Sequence, residues 1–223
     1  MHRGGAVMVK RLILVVVLFF VSLVMGGLAH ADLIAKSPLT SVGAQLGETS
    51  IGDLVADAIR DSVHAPIGLL AAGSLREVTI PKGKADASDI RQCIQYPDDK
   101  IVVMELTGAE IRQALERSVS IYPQKNLGFL QVSGIRVVIR PENAKGNRIA
   151  SLAMDSGPFS DDAKYQVATT VPVANGAYGY FTIWDKAEIA KAKTITISQA
   201  LTDFLAASPS FDYSQADRIV VKK

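Results

Sequence analysis

A single cysteine, Cys93, limits what this chain can fold into, because no internal disulfide can form. Histidine is nearly as scarce, since His64 is the only one of three histidines that follows residue 31. The 192 residues after Ala31 must therefore be held together by a hydrophobic core alone. One histidine and one cysteine also cannot build a zinc or dinuclear metal site of the usual histidine-rich kind. We therefore predict no metal ligand, no cofactor and no self-contained metallohydrolase.

Residues 1–31 contain the three parts of a secretory signal peptide. Lys10 and Arg11 precede an apolar run at residues 12–24, and small residues lead to Ala-His-Ala at 29–31. We expect cleavage after Ala31 and a periplasmic or secreted protein. The alternative is an uncleaved transmembrane anchor, because residues 12–28 approach the lower limit of about 17–25 residues for a span. The membrane is an expected partner only in that case.

The charge of the chain argues against nucleic-acid binding. Of 24 Lys+Arg and 22 Asp+Glu, three basic and no acidic residues lie within 1–31, which leaves 21 basic against 22 acidic residues. A protein that neutralises phosphates needs a clustered excess of Lys and Arg. The chain also lacks the nucleophile-elbow, phosphate-loop, dinucleotide-binding and zinc-protease motifs. We therefore predict no catalytic residue from motifs.

The spacing of apolar residues predicts a mixed α+β fold. Residues 32–45 have weak periodicity and are predicted to form an extended, partly exposed lead-in, followed by one domain over 46–223. Helices are predicted at 49–63 with Thr49 or Ser50 as N-cap, at 88–95 with Ser88 as cap, after the capping box Thr107–Glu110, and at 197–206. Strands are predicted at 67–72, 101–106, 129–132, 135–139, 149–154, 165–173 and 218–221. This order lacks a strict βαβ rhythm, so mixed sheets are favoured over a parallel doubly wound sheet.

Three ionisable features allow both a structural and a functional interpretation. The aspartates Asp53, Asp57 and Asp61 form a stripe on the first helix, which indicates a solvated face rather than a metal or acid/base site. His64 follows that helix and is expected to interact with its dipole rather than to serve in a catalytic triad. Cys93 is expected to be a semi-buried structural thiol rather than a nucleophile.

An ordered set of short segments resembles the C-terminal domain of the 5'-nucleotidase family. The segments are Gly-Asp-Leu-Val-Ala-Asp-Ala at 52–58, Ala-Gly-Ser-Leu-Arg at 72–76, Ile-Pro-Lys-Gly at 80–83, Val-Val-Met-Glu-Leu-Thr-Gly at 102–108, Phe-Leu-Gln-Val-Ser-Gly-Ile-Arg at 129–136, Gly-Asn-Arg-Ile at 146–149, Tyr-Gln-Val-Ala-Thr-Thr at 165–170 and Ala-Asn-Gly-Ala-Tyr-Gly-Tyr at 174–180. Their order and spacing hold from about residue 46 onward. Each segment alone is a weak signal, but the ordered set is specific.

The resemblance implies a four-layer α/β/β/α domain that recognises nucleotides or nucleotide sugars. In that family a separate, calcineurin-like domain holds two metal ions and cleaves the phosphate ester. This chain matches only the recognition domain, so the resemblance implies a nucleotide-like ligand and no hydrolysis by this chain alone. A separately encoded metallophosphatase domain is a possible partner.

The resemblance also implies which residues contact the ligand. Arg76 matches an arginine that contacts phosphate, and Phe129 matches one of two rings that sandwich the base. Gly73 lies on the same segment as Arg76, while Asn175, Gly176 and Tyr178 belong to a matching glycine-rich loop. The alternatives are that Phe129 fills the core, that Arg76 is an ordinary surface charge, and that Tyr178 merely packs its loop.

The set of ligand contacts implied by the family is incomplete in this sequence. Ala71 stands where the family has asparagine, Pro172 replaces the second ring, Tyr178 replaces an acidic residue and Ile121 stands in place of an arginine. Less positive charge implies weak nucleotide binding or a different ligand. A vestigial pocket, in a domain with a structural or protein-interaction role, is therefore the alternative function, and autonomous hydrolysis is the least favoured one.

Overall fold

The protein is described by a computed structural model that covers residues 33–184, 189–208, 210–214 and 217–222, with the side chains of 189–193 left out. The residues from Asp32 to Lys223 form one compact unit. The predicted signal peptide and its cleavage site lie outside the described residues. Within the described residues no helix is long and apolar enough to cross a membrane.

A mixed five-stranded sheet forms the centre of the fold. Its strands are β3 (Ile67–Ala71), β6 (Lys100–Thr107), β7 (Leu130–Ser133), β11 (Lys164–Thr170) and β12 (Ile189–Thr196), in the order β12-β6-β11-β3-β7. Strand β6 is antiparallel to both of its neighbours, and β3 runs parallel to β11. Because parallel neighbours end at the same edge of a sheet, the loops that follow β3 and β11 leave the sheet side by side.

Three smaller sheets complete the strand topology. Their strands are β1 (Leu33–Ala35), β2 (Leu39–Thr40), β4 (Thr79–Ile80), β5 (Gly83–Ala85), β8 (Ile135–Ile139), β9 (Ile149–Met154), β10 (Gly157–Pro158), β13 (Ser210–Phe211) and β14 (Ile219–Val221). The largest of these sheets has the order β10-β9-β8-β14, and β14 is its parallel edge strand. The others are β13-β1-β5 and β2-β4.

Among the described residues, five α-helices accompany the sheets. They are α1 (Ser50–Ser62), α2 (Ala87–Arg91), α3 (Gly108–Ser118), α4 (Val171–Ala174) and α5 (Ile197–Ala207). Thr49 is the N-cap of α1, as predicted, and its side chain accepts a hydrogen bond from the backbone N–H of Gly52. The cap predicted at Ser88 is wrong, because the carboxylate of Asp86 accepts from the Ser88 backbone N–H instead.

The two faces of the central sheet are buried in two cores. Along β3, Ile67 and Leu69 lie in the core shared with α3 and the four-stranded sheet, whereas Leu70 lies in the core shared with α1 and α5. This alternation follows from the two-residue period of a strand. Strand β6 is buried on both faces over most of its length, and Lys100 and Glu105 are its exposed positions. The mixed α+β class is thus confirmed.

The lead-in is more ordered than the sequence indicates. Strand β1 pairs with β5 on one side and with β13 on the other, and Ala35 is fully covered. Leu39 of β2 is also fully buried. Ile34, Lys36 and Pro38 are exposed between these covered positions, so the side chains of this extended segment alternate between buried and exposed. A three-residue strand such as β1 is too short for its pairing to be predicted from periodicity.

The capping box of α3 generates a stability prediction. The Thr107 hydroxyl and the Glu110 carboxylate exchange hydrogen bonds of 2.7–3.2 Å with each other and with opposing backbone N–H groups. We expect Thr107→Ala to lower the free energy of unfolding by about 1 kcal/mol, the usual effect of removing an N-cap hydroxyl. Denaturant unfolding measures this change. Thr107→Ser keeps the hydroxyl and is the matched control; equal destabilisation by both variants would contradict the prediction.

Candidate functional site

The turn that follows β3 is held by backbone hydrogen bonds. It comprises Ala72–Ser74, which form one 3₁₀ turn. Gly73 donates its N–H to the Leu127 carbonyl at 2.8 Å, and Ala72 donates to the Phe129 carbonyl at 2.8 Å. Beyond the turn, the Arg76 N–H donates to the Cys93 carbonyl at 2.7 Å. The backbone from Ala72 to Arg76 is therefore fixed on two sides.

The loop that follows β11 and α4 adopts left-handed backbone conformations. Gly176, Tyr178 and Gly179 have φ angles of +91°, +58° and +88°. Only the two glycines reach this region without strain, so the conformation of Tyr178 needs support from its surroundings. The Arg117 guanidinium supplies it by donating to the Tyr178 carbonyl at 2.6 Å. The glycines of this loop therefore allow its tight turn, as the sequence indicated.

Tyr180 anchors the same loop in the core. Its side chain is fully buried, its hydroxyl donates to the Gly128 carbonyl at 2.6 Å, and its ring stacks on Trp184 with centroids 4.9 Å apart. A buried phenol that lost this partner would leave a polar group unsatisfied. Tyr180 thus has a structural role, and it holds the neighbouring Tyr178 at the surface.

The two loops meet where Tyr178 contacts Gly73. A Cβ atom added to Gly73 would collide with the Tyr178 hydroxyl and ring, so only glycine leaves room for this tyrosine. Burial raises the pKa of the Tyr178 phenol, and nearby Tyr96 and Asp99 raise it further. The Tyr178 phenol is therefore neutral at physiological pH and can form hydrogen bonds. The neighbouring Tyr96 is half exposed.

We call this region the Tyr178 surface and define it by Gly73, Arg76, Tyr96, Leu127 and Tyr178. The Arg76 side chain is exposed, and its Nε donates to the Gln95 side chain at 3.0 Å. Tyr96 and Leu127 are 50% and 52% exposed. The surface thus combines one guanidinium, two phenols and exposed apolar area, which suits a planar ligand that carries a negative charge.

Phe129 lies beneath this surface rather than on it. Its side chain is 2% exposed and belongs to the core between the central sheet and α3. Its burial favours the core interpretation over a ring that stacks on a ligand. The sequence left both alternatives open, because an aromatic residue next to a strand has the same pattern in either case.

The remaining residues predicted by resemblance are spread over the same loop and its neighbourhood. Asn175 is exposed, and buried Gly176 packs against Phe181, whose ring is 72% exposed. Pro172 is half-buried and Ile121 is 42% exposed. The structure thus brings Gly73 into contact with Tyr178, with Arg76 on the same segment as Gly73. The predicted ligand contacts themselves stay predictions.

Three residues of this region, Arg117, Tyr96 and Leu127, were not predicted from the sequence. Arg117 has no motif and is an ordinary helical arginine until its contact with Tyr178 is seen. Tyr96 and Leu127 lie between predicted helices and strands. In such connections the pattern of polar and apolar residues does not indicate which residues lie close in space. A possible signal was the position of Tyr96 and Leu127 in short loops, where exposed apolar residues are more informative than in strands.

Cys93 is more deeply buried than expected, and His64 follows the end of α1, where its predicted interaction with the helix dipole stays a prediction. The Cys93 side chain is fully buried, and burial raises the pKa of its thiol to about 12, so the reactive thiolate is scarce at neutral pH. His64 is exposed after the end of α1, with a φ of +53°, and its N–H donates to the Asp61 carbonyl at 3.0 Å. In the part of the chain described, no group of three or more His, Cys, Asp or Glu side chains is placed to hold a metal ion.

The aspartate stripe on α1 differs from its predicted solvated face. Asp61 is exposed, but Asp53 is 1% exposed and Asp57 forms an ion pair with Arg218 at 2.8 Å. The prediction is wrong for these two residues because the segment around β13 and β14 covers this side of the helix. A polar cavity of about 580 Å³ lies beside the pair, and Asp57, Tyr213 and Arg218 are among its lining residues.

The structure is a mixed α+β domain in which the loops after two parallel strands converge. A sequence profile described as 5'-nucleotidase, C-terminal domain, matches residues 25–185 of the chain. The chain therefore belongs to this family of C-terminal domains, as the ordered segments indicated.

Known relatives agree with this assignment. The chain is 29% identical over 143 residues to the trifunctional nucleotide phosphoesterase protein YfkN of Bacillus subtilis, covering 60% of this chain and 10% of the relative. It is 25% identical over 189 residues to an apyrase of Aedes albopictus, covering 79% of this chain and 33% of the relative. The chain thus spans a third or less of the length of these two relatives.

Solved structures show the same fold. A 5'-nucleotidase precursor from Thermus thermophilus matches 92% of this chain and 42% of its own, with a TM-score of 0.75 and 25% identity. The NAD nucleotidase NadN of Haemophilus influenzae matches 87% of this chain and 39% of its own, with a TM-score of 0.72 and 18% identity. In each case this chain covers less than half of the solved protein.

Proposed function

We propose that this domain recognises a nucleotide or nucleotide-sugar ligand at the Tyr178 surface. The observation that carries the proposal is the contact between Tyr178 and Gly73, which joins the loops after two parallel strands into one surface beside Arg76. Loops at the carboxyl ends of neighbouring parallel strands are a common place for ligand contacts in mixed sheets. The relatives named above act on nucleotides according to their names, which supports the same ligand class here.

The chemistry of the surface suits such a ligand. The Arg76 guanidinium presents several fixed donors, a geometry that matches phosphate oxygens. The rings of Tyr96 and Tyr178 offer faces on which a base could stack, a contact worth roughly 1–3 kcal/mol in single-stranded nucleic-acid complexes. The surface offers a single arginine, Arg76, and Phe129 is buried beneath it. Fewer ligand contacts are therefore available than the family pattern implies. We therefore infer that a nucleotide binds weakly, with its phosphate at Arg76 and its base on a tyrosine ring.

We further propose that the domain does not hydrolyse its ligand by itself and works with a separately encoded metallophosphatase domain. The support is the histidine content, since His64 is the only histidine after residue 31. Neutral imidazoles are the commonest ligands of catalytic metal ions in proteins. The role of this chain is then to position the substrate for chemistry supplied elsewhere, within nucleotide breakdown.

Export is part of the same proposal. The basic residues, apolar run and Ala-His-Ala sequence within residues 1–31 support a cleaved signal peptide and a periplasmic or secreted domain. A cysteine that cannot pair within the chain and is fully buried is compatible with an oxidising compartment, because it offers no thiol for unwanted disulfides.

A second candidate function is a protein-interaction module whose pocket is vestigial. Exposed apolar side chains favour it, since Ile121, Leu127 and Phe181 are 42%, 52% and 72% exposed. Exposed apolar patches often mark interaction sites. Burial of Phe129 and the replacement at Pro172 also remove the two rings between which a base would stack. The two functions differ in whether the domain binds a nucleotide in the absence of any partner protein.

Binding is tested by calorimetric titration of the protein with AMP and with UDP-glucose. We expect weak saturable binding of at least one ligand, and a loss of roughly tenfold or more in affinity for Arg76→Ala, because a charge-assisted hydrogen bond to phosphate is worth about 1.5–3 kcal/mol. Arg140→Ala removes an exposed arginine from the connection after β8 and is the matched control. No heat with either ligand, together with stable capture of a partner protein, would instead support the interaction module.

Hydrolysis is tested by incubating the purified protein with a chromogenic nucleotide ester and Mn²⁺ or Co²⁺. We expect no turnover above that of the metal alone, because the chain lacks the histidines of a dinuclear site. Adding a separately expressed calcineurin-like metallophosphatase domain should then give turnover. Chelator-sensitive turnover by this chain alone would overturn the proposal.

Export is tested by expressing the chain with its leader and sequencing the N-terminus of the product in the exported fraction. We expect the sequence to begin at Asp32, because small residues at 29 and 31 form the peptidase site. Ala31→Arg blocks such a site and should leave the leader attached. A product that stays in the membrane with residues 1–31 present would support the anchor instead.

A further inference from the structure

Four charged side chains join α1 to the segment that opens β14. The Arg218 guanidinium donates from Nη1 and Nη2 to the two carboxylate oxygens of Asp57, at 2.8 Å each. Its Nε lies 3.8 Å from Oδ1 of Asp53, one helical turn before Asp57. The Tyr213 hydroxyl and the Ser133 hydroxyl also donate to Asp57. Asp57 is therefore fully engaged, whereas Asp53 lies at a longer distance from the guanidinium and shares a hydrogen bond with the Glu48 carboxylate.

Glu48 supplies the third carboxylate and holds the backbone of the closing strand. Its Oε1 accepts from the Arg218 N–H at 2.9 Å and its Oε2 accepts from the Ile219 N–H at 2.8 Å. Both carboxylate oxygens are therefore committed to the first residues of the β14 segment. Displacing Glu48 would leave two backbone N–H groups without these acceptors.

Asp53 is the member of the cluster whose charge is not compensated. Its side chain is 1% exposed, and its buried Oδ1 has no hydrogen-bond partner among the described residues. Two aspartates face the Arg218 guanidinium, which is already bidentate on Asp57, and the Glu48 carboxylate lies beside Asp53. A buried carboxylate without a committed partner is very unfavourable in its ionised form, so it retains its proton.

Burial is the main reason that the pKa of Asp53 is raised to about 9. The charge of Arg218 lowers this pKa, whereas the charge of Glu48 and its hydrogen bond with Asp53 raise it. Asp57 behaves in the opposite way: burial, which by itself raises the pKa of Asp57, is outweighed by the hydrogen bond and charge of Arg218, which lower it. The two aspartates of one helix face thus hold different protonation states at neutral pH.

Few other ionisable groups face Asp53 from the elements that pack on α1. Strands β2, β3 and β7 contain none, Asp203 is the one charged residue of α5, and β11 carries Lys164 and Tyr165. Lys164 pairs with Glu105, and Tyr165 contacts Ser160. From the segment before β14, Tyr213 and Arg218 face the cluster, while Asp212 is bound by Ser37 and Ser214. On α1 itself, Arg60 and Asp61 lie on its last turns.

We propose that Glu48, Asp53, Asp57 and Arg218 form a proton-dependent latch that holds β14 on the four-stranded sheet and loosens when Asp53 loses its proton. With Asp53 neutral, the guanidinium faces one ionised carboxylate, that of Asp57, and Glu48 accepts from the strand backbone beside an uncharged neighbour. With Asp53 ionised, a second buried negative charge lies beside Glu48 and repels it from the Arg218 and Ile219 N–H groups. The latch shares no residue with the Tyr178 surface and is independent of the proposed ligand.

The latch determines how stability depends on pH. In the unfolded chain Asp53 ionises near 3.8, whereas in the folded protein it keeps its proton up to about 9. Between these values the folded state holds one proton more, so the free energy of unfolding decreases as pH rises through this window and levels off above it. Asp57 gives the opposite pH dependence, because its pKa is lowered in the folded state. Its contribution to stability is lost only as the pH falls into the acid range.

The test compares thermal unfolding of the protein, Asp53→Asn and Asp61→Asn between about pH 5 and about pH 9. Asn is neutral and nearly isosteric with the protonated acid. We expect the unfolding temperature of the parent protein to decrease by several degrees over this range. In Asp53→Asn this decrease should be at most half as large. Asp61→Asn, which changes an exposed aspartate of the same helix, should follow the parent. Equal pH slopes for the parent and Asp53→Asn would overturn the proposal.

Two further measurements keep the latch testable if Asp53→Asn folds poorly. Titration of the Asp53 carboxyl by carbon-13 NMR in the unaltered protein should give a midpoint well above neutral pH, and a midpoint near the ordinary aspartate value would overturn the proposal. Hydrogen exchange of residues 217–222, corrected for the intrinsic effect of pH, should accelerate at alkaline pH more than exchange in β6. Parallel changes in both segments would also contradict a local latch.

Discussion

Burial of the central sheet on both faces is the constraint on which the rest of this structure depends. With no disulfide available, the strands must contribute alternate side chains to two separate cores, and β3 and β6 do so. A sheet covered on both faces leaves only its edges and strand ends for polar contacts. The parallel pairing of β3 with β11 then decides that their following loops share one edge. The Tyr178 surface is a direct result of that pairing.

Partly and fully buried side chains hold the loop of the Tyr178 surface in place. Arg117 stabilises the left-handed backbone of Tyr178, and buried Tyr180 ties the loop to Gly128. The Tyr178 side chain lies over Gly73, where an added Cβ would collide with it. These contacts together fix the position of the Tyr178 side chain, and preorganisation of this kind would lower the entropy lost when the proposed ligand binds.

The charged latch shows why pattern alone misjudged α1. A row of aspartates at four-residue intervals has the pattern of a solvated helix face, and Asp61 is indeed exposed. Asp53 and Asp57 are covered because Arg218, distant in sequence, reaches this face with Tyr213. Their unequal protonation follows from geometry, since one guanidinium binds Asp57 on both oxygens and leaves Asp53 without a committed partner. No local property of the helix contains that information.

Local chemistry of the sequence determined the elements and the class of this protein. Apolar spacing predicted α1 and α5, hydroxyl and carboxylate positions predicted the caps at Thr49 and Thr107, and ordered segments indicated the family. These features depend on residues within a few positions of one another, so the sequence displays them. Tertiary structure alone decided that β1 is a paired strand, that Phe129 is buried beneath the surface, that Tyr178 contacts Gly73, and that Asp53 lies next to Glu48. Each of these depends on contacts between distant segments, which only strand pairing and the packing of both cores bring together.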